Sequence, residues 1–223
     1  MNIAEGWRAL LRYAALGVAI AALTVAAMPL PHGVAQKSAP AAQATTQATS
    51  AVTQEYVLTL DPAQSSVHYS LDTTLHTVHG TFSLKRGTLS FNANGGKASG
   101  EIVAAATSGD SGNESRDKKM HAEILESQKY QDVVFRPDRL DGKLSSSGAS
   151  SVQLHGIFVL HGAEHELTVP VQEEINGEHW KGTAKFSVPY IQWGLKNPST
   201  FLLKANPAVD IEVELSGSVQ PVK

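Results

Sequence analysis

Asn113–Phe135, NESRDKKMHAEILESQKYQDVVF, decides how the rest of this chain is read, because its pattern is helical while its surroundings alternate like strand. Met120 and Ile124 sit four apart and share one helical face. Glu114 with Lys118, and Lys119 with Glu123, are further pairs at that spacing, placed to form weak ion pairs on the solvent side. Ser111 and Glu114 have the S-x-x-E spacing of a capping box, which predicts a helix start there. One short charged helix inserted among strands narrows the fold sharply.

Outward from the helix, the apolar residues recur every second position. Val209, Ile211, Val213 and Leu215 face one way while Asp210, Glu212, Glu214 and Ser216 face the other, so one face is dry and the other wet. Val67, Tyr69 and Leu71 repeat this, as do Leu89 and Phe91. Val152, Leu154, Phe158 and Leu160 line one face of a long strand; Leu167, Val169 and Val171 line the next, and Phe186, Val188 and Tyr190 open another. Turn chemistry separates the runs at Asp61-Pro62, Lys85-Arg86-Gly87, Asn94-Gly95-Gly96, Asp141-Gly142, His161-Gly162 and Asn176-Gly177-Glu178. Ser145–Ser151 carries no apolar period and reads as a loop. The sum is an all-β chain of about eight antiparallel strands with one inserted helix. Such strands either close into a barrel, which leaves no open edge, or stack as a two-sheet sandwich. A closed eight-stranded barrel is filled by side chains or holds one small ligand.

The N-terminal part has a different texture. Arg8 and Arg12 precede an uncharged stretch from Tyr13 to Ala27, followed by Pro29, Pro31 and the small run Gly33-Val34-Ala35. This is the layout of a secretory signal over Met1–Ala35, with an uncleaved anchor as the alternative, and it predicts a periplasmic or secreted protein. Gln36–Gln54, mostly Ala, Gln, Thr and Ser, reads as a disordered linker, and Glu55 to Val219 as a single domain. The 223-residue chain has no cysteine, which excludes disulfides, thiolate metal sites and a thiol nucleophile. Without Arg8, Arg12 and Glu5 of the signal, the 18 basic and 21 acidic side chains become 16 and 20, a net charge near −4. With no basic block, nucleic acid is not an expected partner.

In order and spacing, several strings resemble the YceI-like family of exported proteins. They are His79-Gly80-Thr81-Phe82 as a Gly-x-Phe turn, Ser99-Gly100-Glu101-Ile102 leading to the helix, and Arg116-Asp117-Lys118-Lys119-Met120-His121 at its start. Tyr130 to Phe135 then returns as a strand, followed by Leu154–Gly162, Leu167–Val171 and Phe186–Gly194. The resemblance spans Tyr56–Val219. It departs at Pro189-Tyr190-Ile191-Gln192-Trp193, where many relatives place an Arg, and in the loop Leu195–Thr200. It implies an extended eight-stranded lipocalin-like antiparallel barrel holding a polyisoprenoid or similar amphiphilic lipid. Transient membrane contact and a homodimer are both compatible with that role.

On this reading the candidate ligand-lining residues are Tyr69, Leu71, Phe82, Phe91, Phe135, Phe158, Leu160, Phe186, Val188 and Trp193. Ordinary core packing is the competing role for each. Arg116 and Asp117 are candidates for a polar head group, with an intramolecular salt bridge anchoring the helix as the plainer role. His161-Gly162-Ala163-Glu164-His165 spells H-x-x-E-H, but zinc peptidase chemistry needs that string on a helix, and here it joins two strands. His76 and His79 would join those histidines only if the two hairpins meet in space. There is no nucleophile elbow, phosphate loop or dinucleotide fingerprint. The expected function is lipid binding without catalysis, metal or cofactor. The rivals are an enzyme acting on a lipid at the barrel mouth and a solidly packed interaction or stress protein.

Overall fold

The computed structural model describes Gln54–Val222; the expected signal segment and nearly all of the expected linker lie outside the described residues. The strands are β1 (Glu55–Leu60), β2 (Ser66–Asp72), β3 (Thr77–Asn92), β4 (Gly96–Asp110), β5 (Asp132–Asp141), β6 (Gly148–Leu160), β7 (Ala163–Asn176), β8 (His179–Val188) and β9 (Val209–Pro221). All pair antiparallel, neighbour to neighbour from β3 round to β9. β1 and β2 together close the ring, since β1 pairs with the last third of β3 and the end of β9, and β2 with the other halves of both. Nine strand segments therefore fill eight positions of a closed barrel. Closure leaves no sheet edge exposed, which favours it over the sandwich for so strongly alternating a sequence.

The break between β1 and β2 is the Asp61-Pro62 signal made real. Pro62–Gln64 forms a single 3₁₀ turn, and the Asp61 carboxylate accepts the amide of Ala63 at 2.9 Å. Lys85-Arg86-Gly87, expected as a turn, instead lies inside β3, where the pairing with β4 shifts register between Leu84 and Arg86. The extra residue is absorbed as a bulge, which bends this long strand round the barrel. Gly80 is likewise inside β3 rather than at a turn: it sits opposite Tyr69, and a Cβ there would lie 2.4 Å from the Tyr69 ring. Strand β6 begins at Gly148, so the serine-rich loop is shorter than its composition suggests. His161-Gly162 is the expected two-residue hairpin turn, with φ values of 53° and 76°.

Helix α1 (Glu114–Lys119) continues as one π-helical turn, Met120–Ile124, between β4 and β5. Asn113, not Ser111, caps it: the Asn113 side chain accepts the Arg116 amide at 3.0 Å. Glu114 pairs with Lys118 at 2.7 Å as expected, whereas Glu123 turns away from Lys119 to meet Lys196 at 2.6 Å. His121 fastens the helix to the barrel, with Nε2 on the carbonyl of Gly109 (2.9 Å) and Nδ1 on the hydroxyl of buried Ser127 (3.0 Å). Because a carbonyl only accepts, Nε2 carries the proton and Nδ1 accepts from Ser127 in the neutral ring.

Two apolar clusters occupy the barrel interior. One, around Leu58, Leu89, Phe91, Val152, Ile175 and Trp180, seals the end formed by the β3–β4, β5–β6 and β7–β8 turns. The other, around Leu160, Val188, Tyr190 and Leu195, surrounds the opposite end, beneath α1 and the long β8–β9 loop.

Candidate functional site

Between these clusters lies a cavity of about 480 Å³, within the range of about 300–1,000 Å³ usual for small-molecule sites. Its walls carry Val67, Tyr69 and Leu71 of β2, Phe82 of β3, Phe135 of β5, Phe158 and Leu160 of β6, Phe186 and Val188 of β8, and Ile211 and Val213 of β9. From Val188 down to Trp180, β8 runs about 26 Å at roughly 3.3 Å per residue. With strands tilted by about 40°, the cavity is about 20 Å deep.

Trp180 forms the floor, and local geometry holds it there. On β8 its indole lies over Gly182, where an added Cβ would meet the ring at 2.2 Å. The residue opposite Gly182 on β7 is Glu173, so the bare glycine lets the indole Nε1–H reach the Glu173 carboxylate at 2.8 Å. Glu173 is only 3% exposed, and its second oxygen has no partner among the described residues. The carboxylate thus depends on the indole for its hydrogen bond.

The mouth is built differently. Met120, Ile124 and Leu125 of the helical segment and Leu195, Pro198, Leu203 and Ala205 of the β8–β9 loop close over the walls. Arg116, Lys119 and His76 are the basic side chains that reach the cavity here, and no carboxylate lines it among the described residues. Arg116 is held by Ser111, donating from Nε to the hydroxyl at 2.7 Å and from a terminal nitrogen to the carbonyl at 2.8 Å. Asp117 accepts the Ser111 amide at 3.0 Å and its hydroxyl in a short bond. In place of the expected helix-anchoring salt bridge, Arg116 and Asp117 are therefore both held through Ser111. Burial raises the Asp117 carboxyl, but the Ser111 hydroxyl and amide, with Arg116 and His121, outweigh it and hold the group below its usual range. The Tyr69 hydroxyl is raised, first by burial and then by the charge of Asp117. Its ring packs on Phe82 at 5.5 Å, with the oxygen 3.7 Å from the Met120 sulfur. Tyr190, also raised by burial, ties the loop down by donating to the carbonyl of Asn206 at 2.9 Å.

Of the residues proposed from sequence, Tyr69, Leu71, Phe82, Phe135, Phe158, Leu160, Phe186, Val188 and Arg116 converge on this cavity. Three do not. Phe91 lies in the sealed cluster below, stacked with Tyr56 at 6.3 Å. Trp193 stands behind Phe158, 5.7 Å between ring centroids, and stacks on the ring of His165 at 4.1 Å and 3°. Asp117 is turned to Ser111 and away from the lumen. Sequence reasoning missed Trp180 and the loop residues Leu195 and Leu203, and it left Met120 and Ile124 out of the site despite their shared face. The alternation of β9 would have supplied Val209, Ile211, Val213 and Leu215; nothing periodic marks the loop. The four histidines do not form a metal centre: His161 packs on Tyr130, His165 on Trp193, and His79 bonds Ser70 at 2.9 Å. Among the described residues no group of three or more His, Cys, Asp or Glu is placed to hold a metal ion.

The fold has solved counterparts. Burkholderia cenocepacia BcnA superposes with a TM-score of 0.59 at 16% identity, covering 70% of this chain and 98% of its own. A polyisoprenoid binding domain from Saccharophagus degradans, implicated in plant cell wall breakdown, superposes with a TM-score of 0.54 at 12% identity, covering 74% and 98%. At these identities the likeness is one of fold. No curated protein matches the chain by sequence. The YceI-like domain matches residues 58–218, from within β1 to within β9, and on that match the chain belongs to the YceI-like family.

Proposed function

We propose that this protein binds one long amphiphilic lipid of the isoprenoid type inside the barrel. The tail would run down toward Trp180 and the head group would rest beside Arg116 and Lys119. The observation that carries this reading is the form of the cavity: deep, narrow, apolar along its walls, with its charged groups confined to one end. An extended chain gains roughly 0.8 kcal/mol per methylene removed from water, so such walls need no directional groups to bind tightly. The few polar groups at the mouth then set orientation. The structural likeness to a polyisoprenoid binding domain supports the ligand class. The role is that of a carrier or reservoir, not a catalyst. The signal-like N-terminus supports a place outside the cytoplasm.

The test is native mass spectrometry of protein purified without detergent and offered an isoprenoid quinone or a prenyl phosphate, followed by organic extraction. A one-to-one adduct is expected, and it should be lost in Ala184→Phe, which places a ring in the lumen. An unchanged apo mass with both lipids would mean that the cavity is not a lipid site.

A further inference from the structure

Two loop tips at the barrel mouth present apolar side chains where turn chemistry calls for polar ones. In the β8–β9 loop the Thr200 amide donates to the Leu203 carbonyl at 2.7 Å, and the Leu203 amide to the Thr200 hydroxyl at 3.1 Å. That tight turn holds Phe201 and Leu202 at its two central positions, 93% and 81% exposed. Gly, Pro, Asn or Asp is the usual occupant there. Leu75, 72% exposed, sits at the tip of the β2–β3 hairpin, closed by the Thr73 hydroxyl on the His76 carbonyl at 2.6 Å. The two tips are joined: the Thr74 amide donates to the Lys204 carbonyl at 2.9 Å, and Thr73 bridges to Ala205.

From this we infer that Leu75, Phe201 and Leu202 form a docking tip for the surface of an anionic phospholipid bilayer. Three features select that occupant. The first is continuity with the cavity: Leu203, Ala205, Thr73 and His76 of these same loops line the lumen while their neighbours point outward. A lipid leaving a bilayer at this tip would meet the mouth without crossing water. The second is charge. Pro189–Ala208 contains Lys196 and Lys204 and no Asp or Glu, and the Thr73–His76 tip contains none either. Lys196 is met by Glu123 of the helical segment, while Lys204 makes no ion pair among the described residues. An aromatic ring and leucines flanked by lysines suit an anionic interface. The third is size. Three side chains cover a few hundred Å² at most, short of the roughly 1,200 Å² of a specific protein partner.

The absence of cysteine makes the test direct. Leu75→Cys in the full chain is labelled with a polarity-sensitive fluorophore and mixed with vesicles of phosphatidylcholine and phosphatidylglycerol, three to one, without cargo. The expected result is a blue shift, quenched by spin-labelled lipid and weakened about tenfold in vesicle titration by Phe201→Ser with Leu202→Ser. A label at Glu178→Cys, on the opposite end, should stay water-like. Tethering through the apolar N-terminal stretch alone would hold the protein at vesicles but leave position 75 in water, and that outcome overturns the proposal. So does an equal shift at position 178, or a shift that grows with protein concentration without vesicles, which would assign the tip to a second copy of the chain. The vesicles carry no cargo, so failure here leaves the adduct test of lipid binding untouched.

Discussion

At the floor of the barrel Leu58, Leu89, Phe91, Val152 and Trp180 interlock, with Leu58 only 1% exposed. At the mouth Leu71, Phe158, Phe186 and Ile211 are drawn from the same alternating strands, yet they are half-buried and face a void. The strands do not differ; what crosses the barrel between them does. At the floor the opposed side chains are long enough to meet. Toward the mouth Gly80, Ala104 and Ala184 thin the wall, and the lid is a six-residue helix, one π turn and an irregular loop. The floor supplies stability and the mouth supplies access, so substitutions at the two ends should have different costs.

The largest contrast should come from truncating the floor. Leu58→Ala leaves a void among fixed neighbours and should cost about 2–5 kcal/mol in urea unfolding. If it costs no more than a mouth residue, the division of labour fails. Next is the floor's hydrogen bond. Trp180→Phe keeps most of the ring but removes the indole N–H, leaving a carboxylate that is already short of one partner with none. A loss of about 1–3 kcal/mol is expected, seen as a lower midpoint of thermal unfolding. Glu173→Gln in the same background should recover part of it, because a neutral amide is cheaper to bury than an unpaired carboxylate.

Smaller effects are expected at the mouth. Leu71→Ala enlarges a space that already exists and should cost about 1 kcal/mol or less, while weakening retention of any bound lipid in the native spectrum. The smallest effect is electrostatic. Asp117 is held below its ordinary value of 3.8, so the folded state favours its charged form. That contribution is complete above the unfolded value and disappears as pH falls through the lower folded one, which places the loss below about pH 4. Hydrogen exchange of the α1 amides should quicken in that window before the floor strands respond. Ser111→Ala, which removes the hydroxyl that bonds Asp117, should move the onset upward in pH. Exchange that quickens together at both ends would show the lid to be as firmly joined as the floor.

Much of the barrel was legible in the residues because period-two alternation is a direct signature of a sheet with one dry face. The helix stood out because its period changed. Local chemistry misled where tertiary pairing overrode it. Lys85-Arg86-Gly87 has turn composition, but β3 must pass from β2 to β1 while holding β4, and a bulge satisfies that need. Ser111 has the spacing of a cap, yet its hydroxyl is taken by Asp117 and Arg116, and Asn113 is left to cap the helix.

The sequence by itself determined which residues point inward, that one helix interrupts the strands, and that no thiol chemistry is available. Depth along the barrel was decided only by the closed structure. Phe82 and Phe91 both face the interior from β3, yet one lines the cavity and the other is packed beneath it. Alternation fixes the side of a strand on which a residue lies, and says nothing of what stands opposite across the lumen. That depends on the stagger between strands distant in sequence, on the glycine that lets Trp180 lie flat as a floor, and on a loop whose contacts follow no period.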